Sequence, residues 1–118
     1  MSYEEAQDYW DNLVQLPPTR KRRVFLSHPY ADNPAQNKLK NLELLYVLKD
    51  QYTDILFISP LLLFDYLTSD DAREDIMMFC KGMIMYLCDE VWSYGDSEGC
   101  KKEIEYAKKA GVPVYKKG

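Results

Sequence analysis

Cys88-Asp-Glu-Val-Trp-Ser-Tyr-Gly-Asp-Ser-Glu-Gly-Cys-Lys-Lys-Glu-Ile-Glu-Tyr-Ala107 decides how the chain is read. It combines a short apolar strand, a polar turn holding two glycines, and the opening of an amphipathic helix. In an open α/β sheet such turns gather outside the carboxyl ends of the strands, where ligands bind. Wound at about 100° per residue, residues 98–110 place Cys100, Ile104 and Ala107 on one stripe, flanked by Gly99 and Ala110. Glu98, Lys101, Lys102, Glu105, Lys108 and Lys109 fall on the far side, as a solvated face should. Glu103 does not. It falls between Ala107 and Ala110, on the side that packs against the sheet. Two readings fit this position. Glu103 is an inward-facing catalytic or ligand-binding carboxylate, or the helix starts a residue or two away and Glu103 caps a neighbouring amide.

The rest of the chain sets the frame for that stretch. Its 118 residues suffice for one core without staples, and 47% hydrophobic with 29% charged residues is a soluble globular composition. A net charge of −4 argues against non-specific nucleic-acid binding. Apolar runs such as Leu61–Phe64 are far too short for a membrane span, and the first twenty residues are not signal-like. Cys80, Cys88 and Cys100 are odd in number and form no CxxC pair, which suits reduced thiols and a cytoplasmic location. With His28 the single histidine, a multi-histidine metal site is excluded. No metal and no cofactor is expected.

Taken in order, Ser2 and Glu5 form a capping box for a first helix with the stripe Ala6, Tyr9, Trp10, Leu13 and Val14. Pro17-Pro18 ends it, so residues 1–18 read as a helix and linker preceding a domain at 19–118. Thr19-Arg-Lys-Arg-Arg23 is a basic leader, either solvated or in contact with phosphate. Strands are predicted at 23–27, 54–58, 90–94 and 112–115. Asn33 and Pro34 open a helix to about Asp50, with Leu39, Leu42, Leu45 and Tyr46 as its buried face. Ser59-Pro60 breaks the second strand, and residues 61–67 suit a short helical turn. Ser69-Asp70-Asp71 opens a helix to about Leu87, with Ile76, Cys80, Met83 and Leu87 as its main stripe. Met77, Met78, Phe79, Met85 and Tyr86 widen that stripe, as core or as a dimer contact, with core the reading adopted.

Successive right-handed strand–helix–strand units imply a flavodoxin-like, Rossmann-like three-layer α/β sandwich. Its small parallel sheet has the expected order 2-1-3-4, plus an added N-terminal helix. The switch point between strands 1 and 3 would juxtapose Ser27, His28 and Tyr30 with Gly95, Ser97, Glu98, Gly99 and Glu103. The turn amides and the Ser97 hydroxyl could hold a phosphate, while His28 and Tyr30 face a ring or sugar.

Val24-Phe-Leu-Ser-His-Pro-Tyr30, Cys88-Asp-Glu-Val-Trp92, Ser97-Glu-Gly-Cys-Lys-Lys-Glu-Ile-Glu-Tyr-Ala107 and Gly111-Val-Pro-Val114 together resemble the nucleoside 2-deoxyribosyltransferase-like superfamily. The likeness covers about residues 23–115 and is most specific from Ser97 to Ala107. It implies that Glu103 attacks the anomeric carbon of a deoxyribosyl group. It also implies that Ser97 contacts a 5′-phosphate and that Ser27 to Tyr30 meet sugar and base. The pattern departs at Lys81, where active members carry an aspartate that helps protonate the leaving base, with Asp75 or Asp65 as substitutes. His28 also replaces the usual glycine of the first turn. A second resemblance, resting on Val24-Phe-Leu-Ser-His, Ser97 and Glu103, is to TIR domains, whose enzymatic members cleave NAD.

Three functions follow as expectations. The first is an N-glycosidic-bond hydrolase or transferase acting on a deoxynucleoside or its 5′-monophosphate through an ionised Glu103. The second is a non-catalytic nucleotide-binding module, favoured by Lys81. The third is a TIR-like NAD glycohydrolase. The expected partner is a small nucleoside or nucleotide, not nucleic acid or membrane, and the resemblance implies a homo-oligomer.

Overall fold

The computed structural model describes residues 2–8, 21–64 and 72–117. Four strands form one all-parallel sheet: β1 (Arg22–Ser27), β2 (Ile55–Ile58), β3 (Glu90–Ser93) and β4 (Val114–Lys116), in the order β2-β1-β3-β4. Helix α1 occupies residues 3–8. It is followed by α2 (Pro34–Gln51), the short α3 (Pro60–Leu63), α4 (Arg73–Gly82) and α5 (Glu98–Ala110). Five further residues, Met83–Leu87, continue α4 as a π-helical turn. This is the flavodoxin-like order read from the sequence. None of the helices described is long and apolar enough to cross a membrane.

The sheet separates two cores. Alternation along β1 sends Val24 and Leu26 to one face, where Leu48 of α2, Ile55 and Trp92 join them. Phe25 points to the other face and meets Cys80, Ile84, Val91 and Ala107, under α4 and α5. Each fully buried side chain of this kind contributes about 1.5–3 kcal/mol. The central strand, buried on both faces, therefore anchors the fold. Tyr52, Phe57 and Trp92 meet edge to face on the α2 side, with the Lys117 ammonium 4.3 Å from the Trp92 ring centroid. Pro113 stands just ahead of the edge strand β4 and still accepts from the Val91 amide through its carbonyl.

Several expected faces are corrected. In α2, Leu39, Leu42 and Tyr46 are exposed, and only Leu45 of the expected set packs on the core. The sheet-facing line is Asn37, Asn41, Leu44, Leu45 and Leu48. Asn37 donates to the Tyr30 carbonyl and to Asp32, and Asn41 donates to Ser59 at 2.6 Å. Buried asparagines with partners of this kind take the place that an apolar count gives to leucine. Asn33 bonds Gln36 and does not cap the helix with its side chain. In β2, Leu56 is exposed because the strand lies at the sheet edge.

Along α4, Cys80 and Ile84 hold the sheet. The π turn, closed by the Cys88 amide on the Met83 carbonyl at 2.9 Å, rotates Tyr86 and Leu87 outward. Met78 and Phe79 are exposed as well, so these side chains are a surface and not core. The Ser2–Glu5 cap forms at 3.1 Å. The remaining stripe of the first helix, the prolines after it, the end of the turn at 61–67 and the helix start at 69–71 lie outside the described residues. Of the basic leader, Thr19 and Arg20 lie outside the described residues, while Arg22 and Arg23 are engaged at the amino ends of the strands, away from the switch point. Arg22 pairs with Glu90 at 3.8 Å and Arg23 with Asp89 at 4.0 Å.

Candidate functional site

The carboxyl ends of β1 and β3 lie side by side, with Ser27 in register with Ser93. The turns leaving them are locked together. The Tyr94 amide donates to the Ser27 carbonyl at 2.8 Å, and Gly95 presses against the Pro29 ring. A Cβ built on Gly95 would stand 2.7 Å from Pro29 Cδ, in a ring with little room to give. Gly95 therefore sets the spacing of the two loops and stands outside the cavity lining. Gly95→Ala is expected to cost about 1–3 kcal/mol by overpacking, read as a lowered denaturant midpoint. An unchanged midpoint would mean that the loops move apart freely.

Between these loops and α4 lies a cavity of about 800 Å³. His28, Tyr30, Ser97, Glu98, Gly99 and Glu103 all line it, and Ser27 stands behind Glu103. Ser97 caps the start of α5, its hydroxyl accepting the Cys100 amide at 3.2 Å and leaving its own proton to donate elsewhere. The next amides, at Glu98 and Gly99, open the helix without intrahelical acceptors. His28 Nδ1 is 2.9 Å from the Pro29 carbonyl, so as donor there it presents Nε2 as the other ring nitrogen.

Glu103 is the centre of the site. It is 7% exposed, shares the buried stripe of α5 with Cys100 and Ala107, and accepts the Ser27 hydroxyl at 2.8 Å. Ile104, expected on that stripe, is half-buried. The Cys80 thiol also hydrogen-bonds the carboxylate. Burial pushes the Glu103 carboxyl up to about 7, opposed by the bonds from Ser27 and Cys80. The helix N-terminus, expected from sequence to keep Glu103 ionised, is outweighed by this burial. Glu103 is the sixth residue of α5, beyond the first turn in which the dipole acts. Burial and the adjacent Glu103 push the Cys80 thiol far above its ordinary range, so it serves as a donor and not as a thiolate.

Helix α4 contributes Arg73, Ile76, Met77 and Cys80 to the lining, and α3 contributes Pro60 and Leu61. Asp32 and Asp96 add carboxylates to the lining. None of these residues stands out as a site residue in the sequence. Cys80 is visible there as a sheet-facing position on its helix, but its partner comes from another element. Lys81 faces away, its ammonium 5.6 Å from the Tyr106 ring centroid, and Asp75 is exposed outside the lining. Asp65 lies outside the described residues. Among the described residues no three His, Cys, Asp or Glu side chains gather as a metal site, and Cys80, Cys88 and Cys100 are free thiols.

Fold and site thus define a flavodoxin-like α/β domain with a buried glutamate at the topological switch point. The chain belongs to the family described as a domain of unknown function (DUF7768), whose model matches residues 22–117. No curated protein matches it.

Proposed function

We propose that the protein cleaves or transfers the N-glycosidic bond of a deoxynucleoside or its 5′-monophosphate, with Glu103 as nucleophile. The observation that carries this reading is a nine-tenths buried carboxylate, lining a ligand-sized cavity and held by the Ser27 hydroxyl at 2.8 Å. The resemblance of the Ser97 to Ala107 segment to deoxyribosyltransferase-like proteins supports it.

In the first step an ionised Glu103 oxygen bonds the anomeric carbon, and the carbon–nitrogen bond breaks. The base leaves with the bonding pair and takes a proton from water. In the second step water, or another base, attacks the glycosyl ester and returns Glu103 to its carboxylate, a hydrolysing water giving up one proton. Ser27 orients the nucleophile, while Ser97 with the amides of Glu98 and Gly99 holds the sugar or phosphate. His28 and Tyr30 line the base side.

Incubating the protein and Glu103→Gln with deoxynucleosides, their 5′-monophosphates and NAD tests the assignment by chromatography of the products. Free base from a deoxynucleoside or deoxynucleotide is expected, reduced at least about 1,000-fold in the variant because the covalent step is removed. Equal turnover by the variant sinks the assignment. Nicotinamide from NAD alone moves the protein to the TIR-like reading.

One observation favours a second reading, a binding module that keeps its ligand whole. Among the described residues, α4 lines the cavity with a guanidinium, a thiol and apolar groups and offers no carboxyl to protonate a departing base. A nucleotide that raises the melting temperature and is recovered intact after long incubation selects this reading.

A further inference from the structure

We infer that the cavity selects an unphosphorylated nucleoside over its 5′-monophosphate, and that Asp96 and Glu98 set the preference. This rests on the nucleoside reading above and narrows it. Among the described residues the lining carries four carboxyl side chains, Asp32, Asp96, Glu98 and Glu103, against one guanidinium, Arg73.

Placement matters more than number. The natural seat for a phosphate is the start of α5, where Ser97 and the first amides converge. Asp96 and Glu98 flank Ser97 directly, and both line the cavity. Glu98 lies in the first helical turn, where its charge already answers the partial positive charge of the helix end. The nearest lysines on the helix, Lys101 and Lys102, are exposed and absent from the lining. Arg73, the one guanidinium among the described lining residues, belongs to α4 and not to this turn.

A phosphate monoester brings close to two negative charges and only acceptor oxygens at neutral pH. Against two carboxylates it meets like charge and acceptor against acceptor. A free 5′-hydroxyl brings no charge and fits the same place as both donor and acceptor. It can donate to a carboxylate while accepting from the Ser97 hydroxyl or an α5 amide. The pyrophosphate of a dinucleotide is disfavoured on the same grounds. Because Asp96 and Glu98 are exposed, their effect is screened by salt.

The test is calorimetric titration in the Glu103→Gln background, which blocks the proposed covalent step. The four common deoxynucleosides and their 5′-monophosphates are compared, at low and high salt, with and without Asp96→Asn plus Glu98→Gln. The preferred nucleoside is expected to bind about tenfold or more tightly than its monophosphate at low salt. That ratio should shrink toward unity at high salt and in the charge-removed protein. A monophosphate that binds as tightly as its nucleoside overturns the inference, as does a ratio that ignores the two substitutions. A nucleoside bound with the expected preference but never split by the unsubstituted protein ends the catalytic reading and leaves the charge preference standing. Base released readily from nucleosides that show no such preference does the reverse. If no nucleoside or nucleotide binds, both fall.

Discussion

Glu103→Gln is expected to make the protein more stable at pH 8, by as much as about 3 kcal/mol, while removing its proposed activity. The folded carboxyl is pushed up to about 7 from an ordinary 4.5, chiefly by burial. Between those values the folded state holds a proton that the unfolded chain has released. This contribution of Glu103 is therefore fully present below about 4.5, is lost as pH rises toward 7, and stays lost above. A tenfold change in a proton affinity is worth about 1.4 kcal/mol, which sets the upper magnitude. Glutamine escapes the charge burial and keeps an oxygen for the Ser27 hydroxyl. Its gain should raise the melting temperature by as much as roughly 12 °C at pH 8, at about 4 °C per kcal/mol for a domain of this size. Below about pH 4.5 the two proteins should converge. Comparing the two proteins across pH isolates Glu103 from other titrating groups. A variant less stable than the parent at pH 8 would show that the carboxylate is well solvated or paired there.

That a chain carries such a cost suits a working site better than a structural one, because an apolar residue at position 103 would pack against the sheet without it. The anomaly was legible in sequence because helical periodicity is a local rule. Thirteen residues of α5 suffice to show one carboxylate on the wrong face. Sheet order was legible for a related reason. Strands alternating with helices and joined right-handedly leave few topologies, and the switch point follows from the order. What holds Glu103 was not legible, since Ser27 lies 76 positions away and Cys80 belongs to another helix. Nor was the face of α2, where Asn37 and Asn41 take sheet-facing positions through side-chain hydrogen bonds to Tyr30, Asp32 and Ser59. The outward Met78, Phe79, Tyr86 and Leu87 escaped a strict helical count for two reasons. The excess of apolar residues exceeded what one sheet face can bury, and the π turn changed the phase of the helix.

The rate of base release should fall about tenfold per pH unit below about 7, if Glu103 must be ionised to attack. Ser27 and Cys80 set where that acid limb lies, because each donates to the carboxylate and so favours its charged form. They are not equal donors. A hydroxyl at 2.8 Å is a normal hydrogen bond, whereas a thiol is a weak one. Ser27→Ala removes about 1 kcal/mol of preference for the carboxylate, which moves the limb toward higher pH by roughly 0.7. The variant should then lose about fivefold at pH 6 and recover most of its rate at pH 9. Cys80→Ser supplies a stronger donor in the same place, and its limb should move downward. Opposite displacements from two substitutions on two different elements, β1 and α4, are not produced by general loosening of the site, which lowers the rate evenly across pH. Limbs that stay fixed in both variants would mean that the titration seen in the rate belongs to another group, and that Glu103 is not the nucleophile.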